Sequence, residues 1–206
     1  MDYSEKVLDH FMNPRNIGKL ENADVEATEG SPACGDQVTY FLKINEENMT
    51  IEDIRFLSYG CASNIATASI TSEMVKGKSL QEARNFTWKS VVESLDGLPN
   101  VKIHCSVLAV DALKSAIKKY EINKGLREPD TFNEKTIYEE LRSIIHPGAG
   151  EDIVTLNMVR SVQVNEGVVV LNLNISDKDT FKCAIVGEIK EHLGKFAEVK
   201  ELNVRA

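Results

Sequence analysis

Apolar residues recur at two different spacings along this chain, and the change of spacing predicts where helices and strands lie. Apolar positions from Val7 to Phe11 have helical spacing and predict a short helix that ends before Pro14, because proline disfavours helix in the preceding residue. In the segments 38–44 and 51–57, apolar and polar residues alternate and β-branched and aromatic residues are frequent. These two segments predict a β-hairpin.

Helices are predicted after the hairpin. Gly60 ends the second strand. Apolar and small residues then recur at helical spacing from Ile65 to Val75, and Gly77 is predicted to end this helix. Cys61 is therefore predicted to lie at a strand-to-helix turn. The segment 80–95 predicts two short helices, and another helix with an apolar stripe begins at about His104.

The apolar pattern lapses between residues 120 and 133, where the composition is that of a linker. A complete small unit follows, with the order helix, strand, strand, helix, strand (αββαβ). We therefore predict two domains, 1–124 and 133–206. Both are expected to be of the α+β class, and a chain of 206 residues is long enough for two small domains, since about 150 residues is a rough prior for one.

Composition limits the classes of partner. Charged residues make up 27% of the chain and hydrophobic residues 42%, which is typical of a folded globular protein. The net charge of −8, without a long Lys/Arg cluster, argues against a nucleic-acid partner. No apolar run approaches the roughly 20 residues of a membrane span, and the first six residues lack the pattern of an export signal. We therefore expect a cytoplasmic protein without a membrane partner.

Three cysteines with polar partners beside them are the main candidates for chemistry. Cys34 is followed two residues later by Asp36, Cys61 lies at the predicted helix start, and Cys105 directly follows His104. In a reducing compartment these cysteines are expected to be thiols rather than a disulfide framework. Thiolates, a carboxylate and an imidazole can together bind a soft metal ion or a small iron-sulfur cluster.

Position at a helix start adds to this expectation. Cys61 and Cys105 both fall where a helix begins, and the free backbone N–H groups there favour the thiolate over the thiol. We expect both to be nucleophilic. A purely structural interpretation stays open for each candidate, since an isolated Cys is often a buried filler, Asp36 could bond a turn, and His104 could cap a helix.

Five ordered segments resemble iron-sulfur cluster scaffold proteins of the IscU and NifU type, and together they span residues 1 to about 120. They are Tyr3-Ser4-Glu5-Lys6-Val7-Leu8-Asp9-His10-Phe11 through Asn13-Pro14-Arg15-Asn16-Ile17-Gly18; Gly30-Ser31-Pro32-Ala33-Cys34-Gly35-Asp36; Tyr59-Gly60-Cys61-Ala62-Ser63; Val75-Lys76-Gly77-Lys78-Ser79-Leu80; and Lys102-Ile103-His104-Cys105-Ser106. The resemblance implies an IscU-like domain, in which helices pack on a small antiparallel sheet.

The resemblance also implies roles for individual residues. Cys34, Cys61 and Cys105 would ligate a nascent [2Fe-2S] cluster, with Asp36 or His104 completing the iron coordination. Cys105 would accept sulfur from a cysteine desulfurase as a persulfide, Asp36 would keep the cluster labile, and apo iron-sulfur proteins would be the acceptors. A homodimer is a further expectation, because Tyr3 matches a family position associated with self-association. One departure is Asn100, which stands where bacterial scaffolds carry a second proline in a segment read by an Hsp70-type chaperone.

The second unit resembles the small domain of assembly factors related to SufT and to the phenylacetate oxygenase accessory protein PaaD. The residues that carry this resemblance are Pro147, Asp152-Ile153-Val154, Leu156, Met158-Val159 and Thr180-Phe181-Lys182-Cys183. The chain departs from that family at His146-Pro147-Gly148, where an Asp-Pro-Glu turn is usual, and at Ala184, where a proline is usual. Cys183 is predicted at a helix start, either as a reactive thiol or as a structural one.

The leading hypothesis is an assembly scaffold fused to an accessory delivery domain, rather than a turnover enzyme. Two alternatives stay open. The same residues could hold zinc, although a glutamate general base of the kind that zinc deaminases use is not evident beside a ligand. Alternatively, Cys105 could only carry persulfide sulfur. Zinc could also substitute for iron at the cluster site.

Overall fold

A three-stranded antiparallel sheet forms the centre of the first part of the chain. The computed structural model describes residues 3–31 and 35–206. Its internal contacts divide the chain into two units, and the boundary in the sequence lies between Pro129 and Asp130. In the first unit the strand order is β1-β2-β3. The strands are β1 (Val25–Ser31), β2 (Asp36–Asn45) and β3 (Thr50–Tyr59). The predicted hairpin is β2–β3, whereas β1 was not predicted.

Helices complete the first unit. They are α1 (Glu5–Met12), α2 (Ala62–Val75), α3 (Leu80–Arg84), α4 (Trp88–Ser94) and α5 (Ile103–Asn123), with a 3-10 turn at Asn100–Lys102 before α5. The largest apolar cluster lies between the sheet and α5, and its biggest fully buried side chains include Tyr40, Phe56, Leu42, Ile54, Leu113 and Ile117. The predicted combination of a small antiparallel sheet with packed helices is confirmed.

Helix α2 is buried although many of its side chains are polar. Ser63, Asn64, Thr67, Ser69, Thr71 and Ser72 are all fully inaccessible to solvent. Most of them form hydrogen bonds; for example, the Thr67 hydroxyl shares its one hydrogen between the carbonyl oxygens of Asn64, in the same helix, and Cys105, at 3.0 and 3.1 Å. Short polar side chains let neighbouring elements approach closely, and their hydrogen bonds avoid the cost of burying unpaired groups.

The two edges of the first sheet are covered. Along β3, the Phe56 N–H donates to the Asn16 carbonyl and the Gly18 N–H donates to the Phe56 carbonyl, at 3.0 and 2.8 Å. Along β1, the Lys119 ammonium on α5 donates to the Glu26 carbonyl at 3.0 Å. A chain segment therefore pairs with part of the β3 edge, and a charged side chain engages one carbonyl of the β1 edge.

The second unit has the predicted αββαβ order with one addition. Its elements are α6 (Glu134–Leu141), the short ladder β4 (Ile145–His146) and β5 (Glu151–Asp152), then β6 (Val159–Asn165), β7 (Val168–Leu173), α7 (Lys182–Gly194) and β8 (Glu201–Arg205). The sheet order is β6-β7-β8, antiparallel for the first pair and parallel for the second. Its own apolar cluster includes Ile137, Leu141, Val169, Leu171, Ile185 and Ile189. The β4–β5 ladder was not predicted, because strands of two residues leave no periodic pattern.

His146 organises the turn in which this chain departs from the Asp-Pro-Glu pattern. Its Nδ1 accepts from the backbone N–H groups of Gly148 and Ala149, both at 3.1 Å. Its Nε2 therefore carries the proton and donates to the Asp179 carboxylate at 3.0 Å. Both ring nitrogens are engaged within the protein, so the imidazole is a structural part of this turn.

Across the described residues, 3–31 and 35–206, each helix is either too short or too polar to span a bilayer.

Candidate metal centre

Three elements of the first unit converge at one end of its sheet. Asp36 is the first residue of β2, and because Gln37 pairs with Tyr59 in the antiparallel register, it lies beside the end of β3. Cys61 is the N-cap residue of α2 and is separated from that strand end by Gly60. Cys105 lies in the first turn of α5, which packs against α2. The strand-to-helix turn predicted at Cys61 is confirmed.

The Asp36 carboxylate lies beside both sulfur atoms and forms a triangle with them. Its Oδ2 is 3.5 Å from Cys61 Sγ and 3.7 Å from Cys105 Sγ, and the two sulfurs are 3.8 Å apart. Cys105 is fully buried and Asp36 is 6% exposed, whereas Cys61 is only partly buried. One oxygen and two sulfurs thus face a common point that can be reached from the Cys61 side.

His104 adds a nitrogen donor to this group. Its Nε2 is 3.4 Å from Cys105 Sγ, and the potential ligand atoms of Asp36, His104 and Cys105 all lie within 4.8 Å of one another. Carboxylate oxygen, imidazole nitrogen and thiolate sulfur are a donor set that suits iron or zinc. The structure thus brings together Asp36, Cys61, His104 and Cys105, while Cys34 lies outside the described residues.

Lys102 is a site residue that the pattern of potential metal ligands does not predict. It lies in the 3-10 turn before α5, and its Nζ is 3.7 Å from Cys61 Sγ. In the sequence it is simply a lysine three residues before Cys105. Its position beside Cys61 depends on the fold of the turn that contains it, so the sequence does not predict it. Burial would lower the pKa of Lys102, but the nearby Cys61 and Cys105 raise it overall, so a positive charge stands beside the sulfurs.

The two thiols share one negative charge. The hydrogen bond from Cys105 lowers the pKa of Cys61 to about 5, helped by the Asn64 backbone N–H and by Lys102 and opposed by burial. The same hydrogen bond, together with burial and the Asp36 charge, raises the pKa of Cys105. These shifts favour the thiolate at Cys61 and, against the expectation from the helix start, the thiol at Cys105. If Cys105 also ionised, its negative charge would lie beside the Cys61 thiolate and the Asp36 carboxylate. The favourable effect of the helix start on a thiolate is smaller than this repulsion.

The surroundings of His104 favour its neutral form, which is the form that binds a metal. Burial is the main cause that lowers its pKa, and Lys102 acts in the same direction, while Asp36 and Cys61 oppose them. A neutral imidazole keeps a lone pair on one ring nitrogen. His104 can therefore act as a nitrogen ligand without first losing a proton.

The ionisation of Cys61 predicts an unusual pH profile for its alkylation. Because the thiolate is the nucleophile, the rate of reaction with iodoacetamide should rise through a midpoint at about pH 5, rather than near the value of about 8.5 for a free cysteine. Peptide mass spectrometry of the metal-free protein at a series of pH values would measure it. Cys183, which is exposed on the second unit, provides an internal comparison. A Cys61 midpoint above about pH 8 would contradict the assigned charge distribution.

Comparison with known proteins places the chain in a family. Residues 2–127 match the family described as NifU-like N terminal domain, which is more than half of the 206 residues. The chain belongs to the NifU-like N-terminal domain family. Residues 134–205 of this NifU-like chain match a second family, described as iron-sulfur cluster assembly protein. The resemblance inferred from the sequence motifs is therefore confirmed for both segments, including their fusion in one chain.

Curated relatives of this NifU-like chain bear a common description. It is 49% identical over 144 residues to the iron-sulfur cluster assembly scaffold protein IscU of Aquifex aeolicus, covering 68% of this chain and 92% of the relative. It is 47% identical over 142 residues to IscU 1 of Archaeoglobus fulgidus, covering 69% and 90%. Against IscU of Escherichia coli K12 the identity is 51% over 124 residues, covering 59% and 95%. These relatives are thus matched over nearly their whole length.

Proposed function

We propose that this chain is an iron-sulfur cluster assembly scaffold, which receives iron and sulfur, builds a cluster and passes it to apo-proteins. The observation that carries the proposal is the position of Asp36 Oδ2 within 3.7 Å of both sulfurs. A protein that only stores a metal gains most from a closed set of thiolates, whereas a mixed set with a hard oxygen suits release. The curated IscU relatives support the same function.

The proposed cargo is a [2Fe-2S] cluster held by Cys34, Cys61 and Cys105. Asp36 or His104 would supply the fourth protein ligand, and both are near enough to Cys105 to do so. Cys34 joins this set because it precedes Asp36 by two residues in the chain. The charge of Lys102 would offset part of the negative charge that three thiolates and a carboxylate bring together.

Sulfur would arrive as a persulfide of a cysteine desulfurase, and Cys105 is the proposed acceptor. The Cys105 sulfur attacks the outer sulfur of that persulfide, the S–S bond of the donor breaks, and the donor cysteine leaves as a thiolate. No external oxidant or reductant is needed, because the persulfide sulfur is only transferred. The Cys105 proton has an acceptor in the Cys61 thiolate at 3.8 Å. Since Cys105 is fully buried, the desulfurase must open the site to reach it.

The proposed setting is the cytoplasm, where cysteines stay reduced. The partners would be a cysteine desulfurase and apo iron-sulfur proteins, with no catalytic turnover by the scaffold itself. A homodimer is a further proposed state. The second unit would act as an accessory domain for delivery, and its exposed Cys183 is the residue through which a chemical role could be tested.

Anaerobic reconstitution with iron and sulfide, followed by visible absorption, tests the function directly. Iron-sulfide charge-transfer bands with sulfide and iron in equal amounts are the expected result. A protein that takes up zinc but gives no such bands would be a zinc-binding metalloprotein instead. Transfer of labelled sulfur to Cys105 without any cluster would indicate a persulfide carrier.

Asp36 is predicted to control how long the cluster stays bound. In Asp36→Ala the hard oxygen ligand is lost, so the cluster should transfer to apo-ferredoxin more slowly and persist longer in air. A change on the order of tenfold corresponds to about 1.4 kcal/mol in the barrier to release. Decay of the visible bands in air and the rate of ferredoxin reconstitution would measure it. Faster release from the variant would contradict the role given to the carboxylate.

A further inference from the structure

The Asp36 carboxylate occupies the space where a side chain on residue 60 would lie. A Cβ atom placed on Gly60 would be 2.5 Å from Asp36 Oδ1 and 2.7 Å from Asp36 Cγ. Non-bonded carbon and oxygen atoms do not approach so closely, because van der Waals repulsion rises steeply below about 3.5 Å. The backbone of Gly60 also has φ +156°, which residues with a side chain adopt with difficulty. The missing side chain therefore creates a recess for this carboxylate.

Asn64 forms a fixed wall on the other side of the recess. The same Cβ position is 2.9 Å from Asn64 Nδ2. The two hydrogens of that amide nitrogen are shared among three acceptors, Ser58 Oγ at 2.9 Å and the carbonyl oxygens of Gln37 and Tyr59 at 3.3 and 3.4 Å. Asn64 is fully buried and tied to both strands β2 and β3, so it has little freedom to move away.

The carboxylate is held in the recess by a hydrogen bond at one oxygen. The Cys61 backbone N–H donates to Asp36 Oδ1 at 3.3 Å, which leaves Oδ2 facing the sulfurs of Cys61 and Cys105. A side chain on residue 60 would collide with the oxygen that accepts this hydrogen bond. Of the surrounding groups, the end of the Asp36 side chain is the one that can rotate away.

We propose that Gly60 is a positioning residue for cluster release, because the recess it leaves orients the Asp36 carboxylate toward both sulfurs. This inference rests on the proposed role of Asp36 as an oxygen ligand of the cluster. Gly60 has no side chain that could bind the cluster, so its proposed role is to orient the carboxylate. Its replacement should therefore have the same effect as removal of the carboxylate itself.

The experiment compares wild type, Gly60→Ala, Asp36→Ala and the double variant. Cluster lifetime in air and transfer time to apo-ferredoxin should lengthen by a similar factor, on the order of tenfold, in all three variants. The double variant should resemble Asp36→Ala alone, since residues that act as a unit are not additive. If Gly60→Ala behaves like wild type, or lengthens the lifetime by the same factor with and without Asp36, the proposal is wrong.

A second measurement separates this inference from the proposed function. In the metal-free protein, the amide proton of Cys61 should shift upfield in both single variants, because both lose the hydrogen bond to Asp36 Oδ1. This NMR shift requires no cluster. If wild type assembles no cluster, the scaffold function fails while the amide shift still tests the recess. An unchanged Cys61 resonance in Gly60→Ala would overturn the inference even if the scaffold function holds.

Gly77→Ala is the matched control for backbone strain. Gly77 also has a positive φ, of +81°, but a Cβ there would meet no atom within 4 Å. Gly77→Ala should lower thermal stability without changing cluster lifetime or the chemical shift of the Cys61 amide. Equal effects from both glycine variants would refute a specific role for Gly60.

If Gly60→Ala alone does not fold, restoration of folding by Asp36→Ala supports the proposal. An unfolded double variant would instead attribute the defect to the backbone or to Asn64, and the proposal would fail.

Discussion

Cys61→Ala and Cys105→Ala are each expected to lower the iron bound after reconstitution by at least about tenfold, with the fold intact. Loss of an outer-shell partner alone typically weakens a metal site about 10- to 100-fold, and a direct ligand contributes more. Both sulfurs lie within 3.7 Å of Asp36 Oδ2, so each variant would leave a gap in the ligand set. The same loss is predicted for Cys34→Ala from the sequence. Iron analysis and visible absorption measure the loss, and circular dichroism monitors the fold.

Cys183→Ala is the matched control for these variants. Cys183 is an exposed cysteine in the second unit, so its replacement should leave iron content at the wild-type level. Near-full iron retention in any two of the Cys34, Cys61 and Cys105 variants would refute the ligand assignment. Loss of iron in all four variants would point to a general effect of removing a thiol.

A chain shortened to residues 1–129 is expected to assemble a cluster as well as the full chain does, but to deliver it less effectively. The apolar clusters of the first unit use residues up to Tyr120 only, and the cluster of the second unit begins at Phe132. Neither core therefore loses a member when the chain is cut at the unit boundary. A tethered docking module can raise apparent affinity by about 10²- to 10⁴-fold, so transfer to an acceptor that uses the second unit should slow markedly.

Reconstitution yield, thermal unfolding and transfer to a panel of apo-proteins would measure these effects. Cys183→Ser in the full chain should reproduce part of the transfer defect if its thiol takes part. Equal transfer by full-length, shortened and Cys183→Ser proteins to every acceptor would make the second unit a structural or docking appendage. Complete loss of assembly in the shortened chain would show that the predicted boundary, between residues 124 and 133, does not separate independent domains.

The fold was predictable where one face of an element is buried and the other is not. Alternation in 38–44 and 51–57 gives the β2–β3 hairpin, because side chains on a strand point to opposite faces. Strand β1 (Val25–Ser31) is rich in Glu, Ala and Gly, residues that are infrequent in strands, and its conformation depends on pairing with β2. Helix α2 also gives a weak pattern, because polar residues surround it within the core.

The candidate site was predictable in part. A glycine between a strand and a helix places Cys61 at a helix start, and the interval of two residues between Cys34 and Asp36 predicts that both act at one site. The approach of Cys105 to Asp36 depends on how α5 packs against α2, for which no local pattern exists, so it followed from the family resemblance alone. The raised pKa of Cys105 and the nearness of Lys102 to Cys61 depend on distances that only the folded chain defines.

The covered edges of the first sheet limit how two copies of the chain could associate. Exposed strand edges are templates for pairing with other chains, and proteins commonly block them with lysine side chains or loops. Here Asn16 and Gly18 occupy hydrogen-bonding groups along β3, and Lys119 occupies a carbonyl of β1. These contacts disfavour a homodimer that extends the sheet and favour one that forms through helical or loop surfaces. The same contacts along the strand edges should reduce aggregation of the metal-free protein before a cluster is assembled.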